Sequence, residues 1–378
     1  MAMCVGLLIA AEFMPVSLLT PIAADLHASN GMVGQAISVS GLFAVISSLL
    51  IAGAVARWDR RHVLLGLTLI MLVSLLLIAA APNFPVLMTA RALLGVTIGG
   101  FWALATATIM RLVPAAALPK ALGVLYTGNA VAVAFAAPIG SYLGGLIGWR
   151  GVFWALVPLV IVNLLWQWHS LPSMPAQARS TARRVNVFGL LRRRNVAFAM
   201  LGVMLSFAGT FSTFTYLRPF LEIRTGVGLS QLSFLLLGLG LAGFVGTYGA
   251  SALLGRHLYR LLALLPLALA ATTLAFLLLG HLLWPAALLL IVWGALNAAI
   301  PVAWSTWLAQ GIADEPDAGG GLLVAAIQLA IMLGAGLGGV LLDHFSLSAT
   351  WLGGAVMLLL GALVVGSGRR LRPGFATA

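Results

Sequence analysis

The chain has 378 residues, of which 62% are hydrophobic and only 7% are charged. Soluble globular proteins are about 45–50% apolar and about 25% charged, so this composition excludes a soluble enzyme and a disordered chain. Twelve membrane spans of roughly 20 residues need about 240 positions, which this chain can supply. The composition therefore predicts a protein that crosses a membrane many times.

Twelve apolar runs are long enough to cross a bilayer. They are 3–23, 32–56, 62–81, 86–110, 121–147 and 151–169, followed by 196–217, 230–253, 261–281, 284–310, 319–342 and 349–367. The break between the two sets of six is rich in proline and arginine, which is typical of a linker. The sequence predicts a six-helix bundle at 1–169, a cytoplasmic linker at 170–195, and a second six-helix bundle with a short tail at 196–378.

The distribution of charge predicts the orientation. The net charge is +12, from 20 Lys and Arg against 8 Asp and Glu. With the N-terminus inside, the outer loops contain only Arg150, Arg218 and Arg224, and Arg91 lies within a span, so the other sixteen basic residues face the cytoplasm. This bias places both termini in the cytoplasm and explains the basic character without nucleic-acid binding.

Several classes of site are not expected. Cys4 is the single cysteine, which excludes an internal disulfide and a metal site built from cysteines. The histidines form no i, i+4 pair, so neither a metal nor another cofactor is predicted. The first apolar run starts at once and has no cleavage site, so we expect no signal peptide and a short cytoplasmic leader that is missing or absent.

Glu12 is the one acidic residue deep inside a predicted span. It lies about 13 Å into a hydrocarbon core that is about 30 Å thick. A carboxyl group at this depth is expected to be protonated at rest, because a low dielectric disfavours its charge. We therefore expect Glu12 to carry the proton in a proton-coupled exchange. The alternative is a structural glutamate, either protonated or bonded to its own helix.

Arg91, Gly95 and Gly99 are spaced four apart and share one face of the fourth span. Small residues at this spacing let helices pack closely. A buried arginine needs a partner, and we expect Arg91 to favour the ionised form of Glu12; the alternative is an arginine that extends to the outer interface. In the fifth span, Pro138 and Gly140 predict a kink and a smooth packing surface.

Aromatic, hydroxyl and amide residues concentrate in spans four, seven and ten. This combination suits a ligand with a flat base and a polyol, which we expect to bind between the two halves. Helix packing is the alternative for each of these residues. The candidate substrate contacts are Trp102, Thr106, Phe207, Thr210, Phe211, Phe214, Asn297, Trp304 and Ser305.

Six stretches resemble the bacterial purine ribonucleoside efflux pumps, in the drug:proton antiporter branch of the major facilitator superfamily. They are Glu12–Pro21, Gly99–Ala103, Met110–Pro114, Ser206–Gly209, Thr215–Pro219 and Pro301–Trp307. The resemblance implies an all-α membrane fold of twelve helices in two six-helix bundles. It also implies export of inosine- and guanosine-like nucleosides in exchange for protons through a bacterial inner membrane. The chain departs from the pattern at Thr210, Ser212 and Thr213, which affects the substrate more than the fold.

The loop between spans two and three also resembles that of the superfamily. The resemblance implies a conformational latch made of Gly53, Asp59, Arg60 and Arg61, with an ordinary basic loop as the alternative. It also associates the motif of Arg91 with proton coupling.

The predicted protein is a proton-coupled antiporter that exports purine ribonucleosides by alternating access. Its expected partners are the nucleoside, protons and membrane lipid, and we expect a monomer. A sugar or drug efflux carrier of the same fold is the first alternative, and a passive facilitator or channel is the second. A membrane-embedded enzyme has the least support, because no cysteine nucleophile, histidine pair or paired intramembrane acids are present.

Overall fold

The computed structural model describes residues 1–55, 57–114, 117–175, 187–312 and 314–372, and within these ranges the regular structure is helical throughout. The helices are α1 (Ala2–Ser17), α2 (Leu19–Asp25), α3 (Asn30–Ala54), α4 (Arg60–Ala79), α5 (Phe84–Leu112), α6 (Leu118–Ser170), α7 (Arg194–Phe214), α8 (Leu217–Phe220), α9 (Leu229–Leu279), α10 (Leu283–Gly311), α11 (Pro316–His344) and α12 (Leu347–Val365). A π-turn, Leu221–Thr225, follows α8.

The described helices account for the predicted number of spans. The long apolar helices give ten candidate spans, because α9 breaks at His257 into Leu229–Leu254 and His257–Leu279, and the bent pair α1 and α2 gives an eleventh. One of the ten, α6, would be about 80 Å long if straight, more than twice the thickness of a hydrocarbon core. It breaks at Gly148, whose φ of 74° is a conformation that glycine adopts without strain. Counted as two spans, α6 brings the total among the described residues to twelve, and the predicted fold class is confirmed.

The first span is broken, whereas the sequence predicts one continuous run. Pro15 lies inside α1, and the chain leaves the helix at Leu18 before resuming as α2 at an angle of 68°. Proline removes a backbone N–H and clashes with the preceding turn, which accounts for a break within a few residues. The break at Leu18 lies less than two turns after Glu12 and therefore positions the candidate site.

Polar side chains fix where three of the spans begin. Asp59 caps α4, Asn83 caps α5 and Ser346 caps α12, each by accepting a hydrogen bond from a backbone N–H of the first turn. The first N–H groups of a helix have no partner within it, so a cap at this position stabilises the start by about 1 kcal/mol.

The residues cluster into two compact units. The first contains Met1–Ala28 with Val39–Arg184, and the second contains Ser29–Ser38 with Val185–Ala378. In the first unit α1 packs along α6, and α4 packs on α5 and α6. In the second, α10 packs along α9, while α11 and α12 pack on α7. The predicted domain boundaries stay a prediction.

The start of α3 is held within the second unit by α11. Gln35 Nε2 donates to the carbonyl of Gly336 at 3.1 Å, and Ser38 Oγ donates to the carbonyl of Met332 at 2.9 Å. The Asp343 carboxylate accepts hydrogen bonds from the backbone N–H of Gly31 and from the Ser29 hydroxyl, so it caps the N-terminus of α3.

Candidate functional site

Arg91 is fully buried on α5 and reaches the broken first span within the first unit. Its Nη1 donates to the carbonyl of Ala11 at 3.0 Å, and its Nη2 donates to the carbonyl of Glu12 at 3.4 Å. In an uninterrupted helix the carbonyl of Ala11 would accept from the N–H four residues later, but that residue is Pro15. Arg91 therefore supplies the hydrogen bond that the proline removes.

Glu12 is buried beside this arginine, with 4% of its surface exposed. The opposite charges of Glu12 and Arg91 attract each other, and both side chains make further interactions. A buried charge is costly unless an opposite charge lies near it. The structure thus brings together the two residues that the sequence places in a proton-coupling site, whose role stays a prediction.

Two glycines bring α5 into backbone contact with α3. A Cβ added at Gly95 would lie 2.2 Å from the carbonyl oxygen of Ser40, and one at Gly99 would lie 2.0 Å from that of Ala44. Both distances are far below van der Waals contact, so no residue with a Cβ fits without moving a helix. This packing sets the position of α5, and hence of Arg91 two turns before Gly99.

A third glycine packs α6 against the break in the first span. A Cβ at Gly140 would lie 2.8 Å from the Ser17 hydroxyl, which itself donates to the carbonyl of Met14. Pro138 is buried on α6 just before it. The helix that precedes the break is therefore contacted by Arg91, at the carbonyls of Ala11 and Glu12, and by α6, at Met14 and Ser17.

The predicted latch residue Asp59 binds the chain that follows α6. Its carboxylate accepts from the Ser173 hydroxyl at 2.5 Å, from the Met174 N–H at 2.9 Å and from the Arg61 N–H at 2.8 Å. These hydrogen bonds, that of the Ser173 hydroxyl above all, hold the pKa of Asp59 below its ordinary value. Gly53 lies in α3, and its surroundings fall outside the described part of the chain.

In the first unit, one candidate substrate contact stacks on a residue that sequence reasoning missed. Trp102 is half-buried, and its ring lies 5.8 Å from that of Tyr126 at an interplanar angle of 27°. Tyr126 is 51% exposed. Tyr126 meets Trp102 only through the packing of α6 on α5, so no local sequence pattern could have identified Tyr126. The side chain of Thr106, also a candidate, lies outside the described residues.

In the second unit, aromatic rings from α7 and α10 form a cluster. Phe214 stacks on Trp293 with ring centroids 6.0 Å apart and meets Phe211 edge-on at 5.9 Å. The Trp293 indole N–H donates to Thr273 Oγ1 at 3.3 Å. Asn297 lies one turn beyond Trp293 and is half-buried. This i, i+4 spacing is the signal that could have identified Trp293.

Other candidate contacts are buried inside the second unit. Phe207 and Thr210 are less than one-tenth exposed, and the Thr210 hydroxyl donates to the carbonyl of Ser206 within its own helix. Trp304 is 1% exposed and meets Trp307 edge-on. Ser305 is exposed. The burial of Phe207, Thr210 and Trp304 fits the helix-packing alternative, and substrate contact by any of these residues stays a prediction.

Known proteins that are similar in sequence to this chain indicate its family. The family model described as "Major Facilitator Superfamily" matches residues 1–319. The chain is 47% identical over 367 residues to "Transcription regulatory protein OpdE" of Pseudomonas aeruginosa, covering 96% of this chain and 91% of that protein. It is 41% identical over 372 residues to "Purine ribonucleoside efflux pump NepI" of Salmonella enteritidis, covering 98% of this chain and 93% of the pump.

Solved structures show the same fold at low sequence identity. The nucleoside transporter NupG, in a mutant form, superposes with a TM-score of 0.75 at 16% identity, covering 96% of this chain and 98% of that one. A bacterial homologue of the human lysosomal transporter Spinster, in an inward-facing and occupied conformation, gives a TM-score of 0.79 at 16% identity, covering 97% and 95%. These likenesses concern the fold alone.

Proposed function

Because the chain belongs to the major facilitator superfamily and is a transporter rather than an enzyme, we propose that it is a proton-coupled antiporter that exports purine ribonucleosides. The observation that carries the coupling is the buried pair of Glu12 and Arg91 beside the break in the first span. The proposed substrate class follows the relatives named as purine ribonucleoside efflux pumps, which are 41–42% identical over nearly the whole chain.

Glu12 changes the charge of a buried site when it gains or loses a proton. Ionised, it balances the positive charge of Arg91, and the pair is neutral. Protonated, it leaves the Arg91 charge without this balance, and an unpaired buried charge costs several kcal/mol. Protonation therefore favours a conformation in which Arg91 finds other partners or water, and this difference links the proton to alternating access.

A nucleoside needs an aromatic surface for its base and polar groups for its ribose. Trp102 with Tyr126 supplies the first in one unit, and Phe214 with Trp293 supplies it in the other. Asn297 and Ser305 carry the amide and hydroxyl groups suited to a ribose. A stacked aromatic contact contributes about 0.5–1.5 kcal/mol beyond the area it buries, so losing one ring should weaken binding several-fold.

The proposal includes a location and an orientation. The many apolar helices and the family make this a multi-pass membrane protein. We place it in a bacterial inner membrane with both termini in the cytoplasm, working as a monomer in contact with lipid. The latch made of Gly53, Asp59, Arg60 and Arg61 is part of the same proposal and holds one conformation at the cytoplasmic end.

The relative named as a transcription regulatory protein suggests a second hypothesis, in which the chain binds nucleic acid. A charged fraction of 7% and a hydrophobic fraction of 62% do not suit a nucleic-acid interface, which is polar and strongly basic. We therefore retain transport, with a sugar or drug as the alternative cargo of the same mechanism and passive facilitation as the alternative mechanism.

Transport of labelled nucleoside tests the substrate class. The purified protein, reconstituted in sealed vesicles, should move labelled inosine when a pH gradient is imposed. Unlabelled guanosine should compete, whereas arabinose and a cationic dye should not. Competition by the sugar or the dye and not by guanosine would reject the nucleoside assignment. Inosine movement that is unaffected by the gradient would indicate a facilitator.

A further inference from the structure

Three arginines at one end of the first unit form no ion pair with a described acidic side chain. Arg60 and Arg61 begin α4, and Arg111 lies in the last turn of α5. Arg111 is close enough to Arg60 for their positive charges to repel each other. We call these three residues the arginine cluster. Like charges held together in this way indicate that an anion binds between them.

Within the described part of the chain, two guanidinium donors of the arginine cluster are buried without an acceptor. They are Arg60 Nη1 and Arg61 Nε. The other donors of the cluster that form hydrogen bonds use backbone carbonyls: Arg61 Nη2 donates to Trp168, and Arg111 Nη1 donates to Pro175 at 3.2 Å. Buried donors in folded proteins are almost always paired, so unpaired ones mark a place for an acceptor.

The acidic side chains of the first unit cannot supply this acceptor. The unit contains only Glu12, Asp25 and Asp59. Glu12 lies deep in the first span, and Asp25 forms an ion pair with Arg150, which follows the break at Gly148 and so begins the part of α6 that ends at Ser170. Asp59 is adjacent, but its carboxylate is already bonded by Ser173, Met174 and the backbone N–H of Arg61.

The surroundings of the arginine cluster are aromatic and exposed. Trp58 is 63% exposed and Trp168 is 57% exposed, and the Arg61 guanidinium lies over the Trp168 ring at 5.8 Å from its centroid. Exposed tryptophan at the end of a membrane span is typical of the level of the lipid headgroups. An anion bound at this level has the apolar interior of the membrane on one side and water on the other.

We propose that the arginine cluster is a binding site for a phosphate group, as carried by an anionic phospholipid headgroup. A phosphodiester offers several acceptor oxygens to the free Nη1 of Arg60 and the free Nε of Arg61, and its charge relieves the repulsion between Arg60 and Arg111. The headgroup would thereby hold the start of α4 and the end of α5 together. Inorganic phosphate has the same chemistry, so the test separates the two sources. The proposal does not depend on which substrate is transported.

The thermal stability of the full chain in detergent, with and without added lipid, tests the site. Phosphatidylglycerol should raise the unfolding temperature of the parent by about 2–4 °C over phosphatidylcholine. Arg60→Gln and Arg111→Gln should each lose most of this rise, because each arginine near an anionic lipid accounts for about five-fold in affinity. Arg57→Gln is the matched control, since it removes the same charge from an exposed position of the same loop.

Inorganic phosphate, added without lipid, identifies the source. No rise with phosphate, alongside the rise with phosphatidylglycerol, assigns the site to a headgroup. An equal rise with phosphate assigns it to the free anion. Arg60→Lys keeps the charge and should keep part of the lipid effect, which separates loss of binding from loss of folding. An equal lipid effect in the parent, Arg57→Gln and Arg60→Gln, or no effect in the parent, would overturn the proposal.

Discussion

Replacing Gly99 by alanine tests the close packing that positions Arg91. The new Cβ would lie 2.0 Å from the carbonyl oxygen of Ala44, where ordinary contact begins at 3.4 Å, so α5 and α3 must separate by about 1.4 Å. The obstacle is backbone, and no side-chain rotation relieves it. Overpacking of this kind costs about 1–3 kcal/mol, against a gain of about 0.5–1 kcal/mol for alanine over glycine within a helix.

Gly66→Ala is the matched control for this substitution. Gly66 lies within α4 of the same unit, and a Cβ there would meet nothing within 4 Å. It therefore measures the helix-propensity gain alone. The two variants should differ by about 1–3 kcal/mol, which for a unit of this size corresponds to roughly 2–12 °C in unfolding temperature.

The reactivity of Cys4 can measure the stability difference between these two variants. Cys4 is the single cysteine, and it is fully buried on α1 of the same unit. A fluorogenic maleimide should therefore react only as the unit opens, and the temperature of half-maximal reaction reports its stability. Gly99→Ala should react at a lower temperature than the parent, and Gly66→Ala at the same or a higher one. Equal temperatures for the two variants would refute the packing argument.

Three further predictions have defined outcomes. Arg91→Met should destabilise the protein by about 1–3 kcal/mol, because it leaves the carbonyl of Ala11 unpaired. Adding Pro15→Ala should recover part of this loss by restoring the missing N–H. If the shifts in unfolding temperature of the two single variants simply add in the double variant, the reasoning is contradicted. Asp59→Asn should lower the unfolding temperature, followed by tryptophan fluorescence, at pH 7. Because the folded pKa of Asp59 is depressed, its contribution to stability is present above about pH 3.9 and is lost as the pH falls through the folded pKa. The unfolding temperatures of parent and variant should therefore become equal below that folded pKa. A difference in unfolding temperature that persists below it would contradict this pH dependence. Trp293→Phe should cost about 0.5–1.5 kcal/mol through its lost indole hydrogen bond, and an unchanged unfolding temperature would show that this bond contributes nothing.

Much of the fold could be predicted from the sequence, because each span is a long apolar run with polar residues at its ends. The predicted ends at 147 and 151 bracket the break that the structure places at Gly148. The bend in the first span was not predicted, although Pro15 lies within the apolar run that forms this span. A proline inside an apolar run can be tolerated when another group satisfies the freed carbonyl, and that group comes from Arg91, 80 positions away from Ala11.

The candidate site was predictable only in part, because side-chain type and depth do not fix which way a residue faces. Glu12 and Arg91 stand out because charge is rare in spans, and the structure brings them together. Trp304 also stands out in the sequence, yet it is buried against Gly202. No pattern in the sequence marks Tyr126, yet it is exposed and stacked on Trp102.

The central claim is that Glu12 couples nucleoside export to proton movement. The most direct test is the pH change inside sealed vesicles containing the purified protein when inosine is added, with Glu12→Gln measured alongside. Glu222→Gln is the matched control, because it makes the same change at a glutamate outside the main spans that pairs with Arg218. We predict a pH change in the parent and in Glu222→Gln, and none in Glu12→Gln. An equal pH change in Glu12→Gln, or none in the parent, would contradict the account.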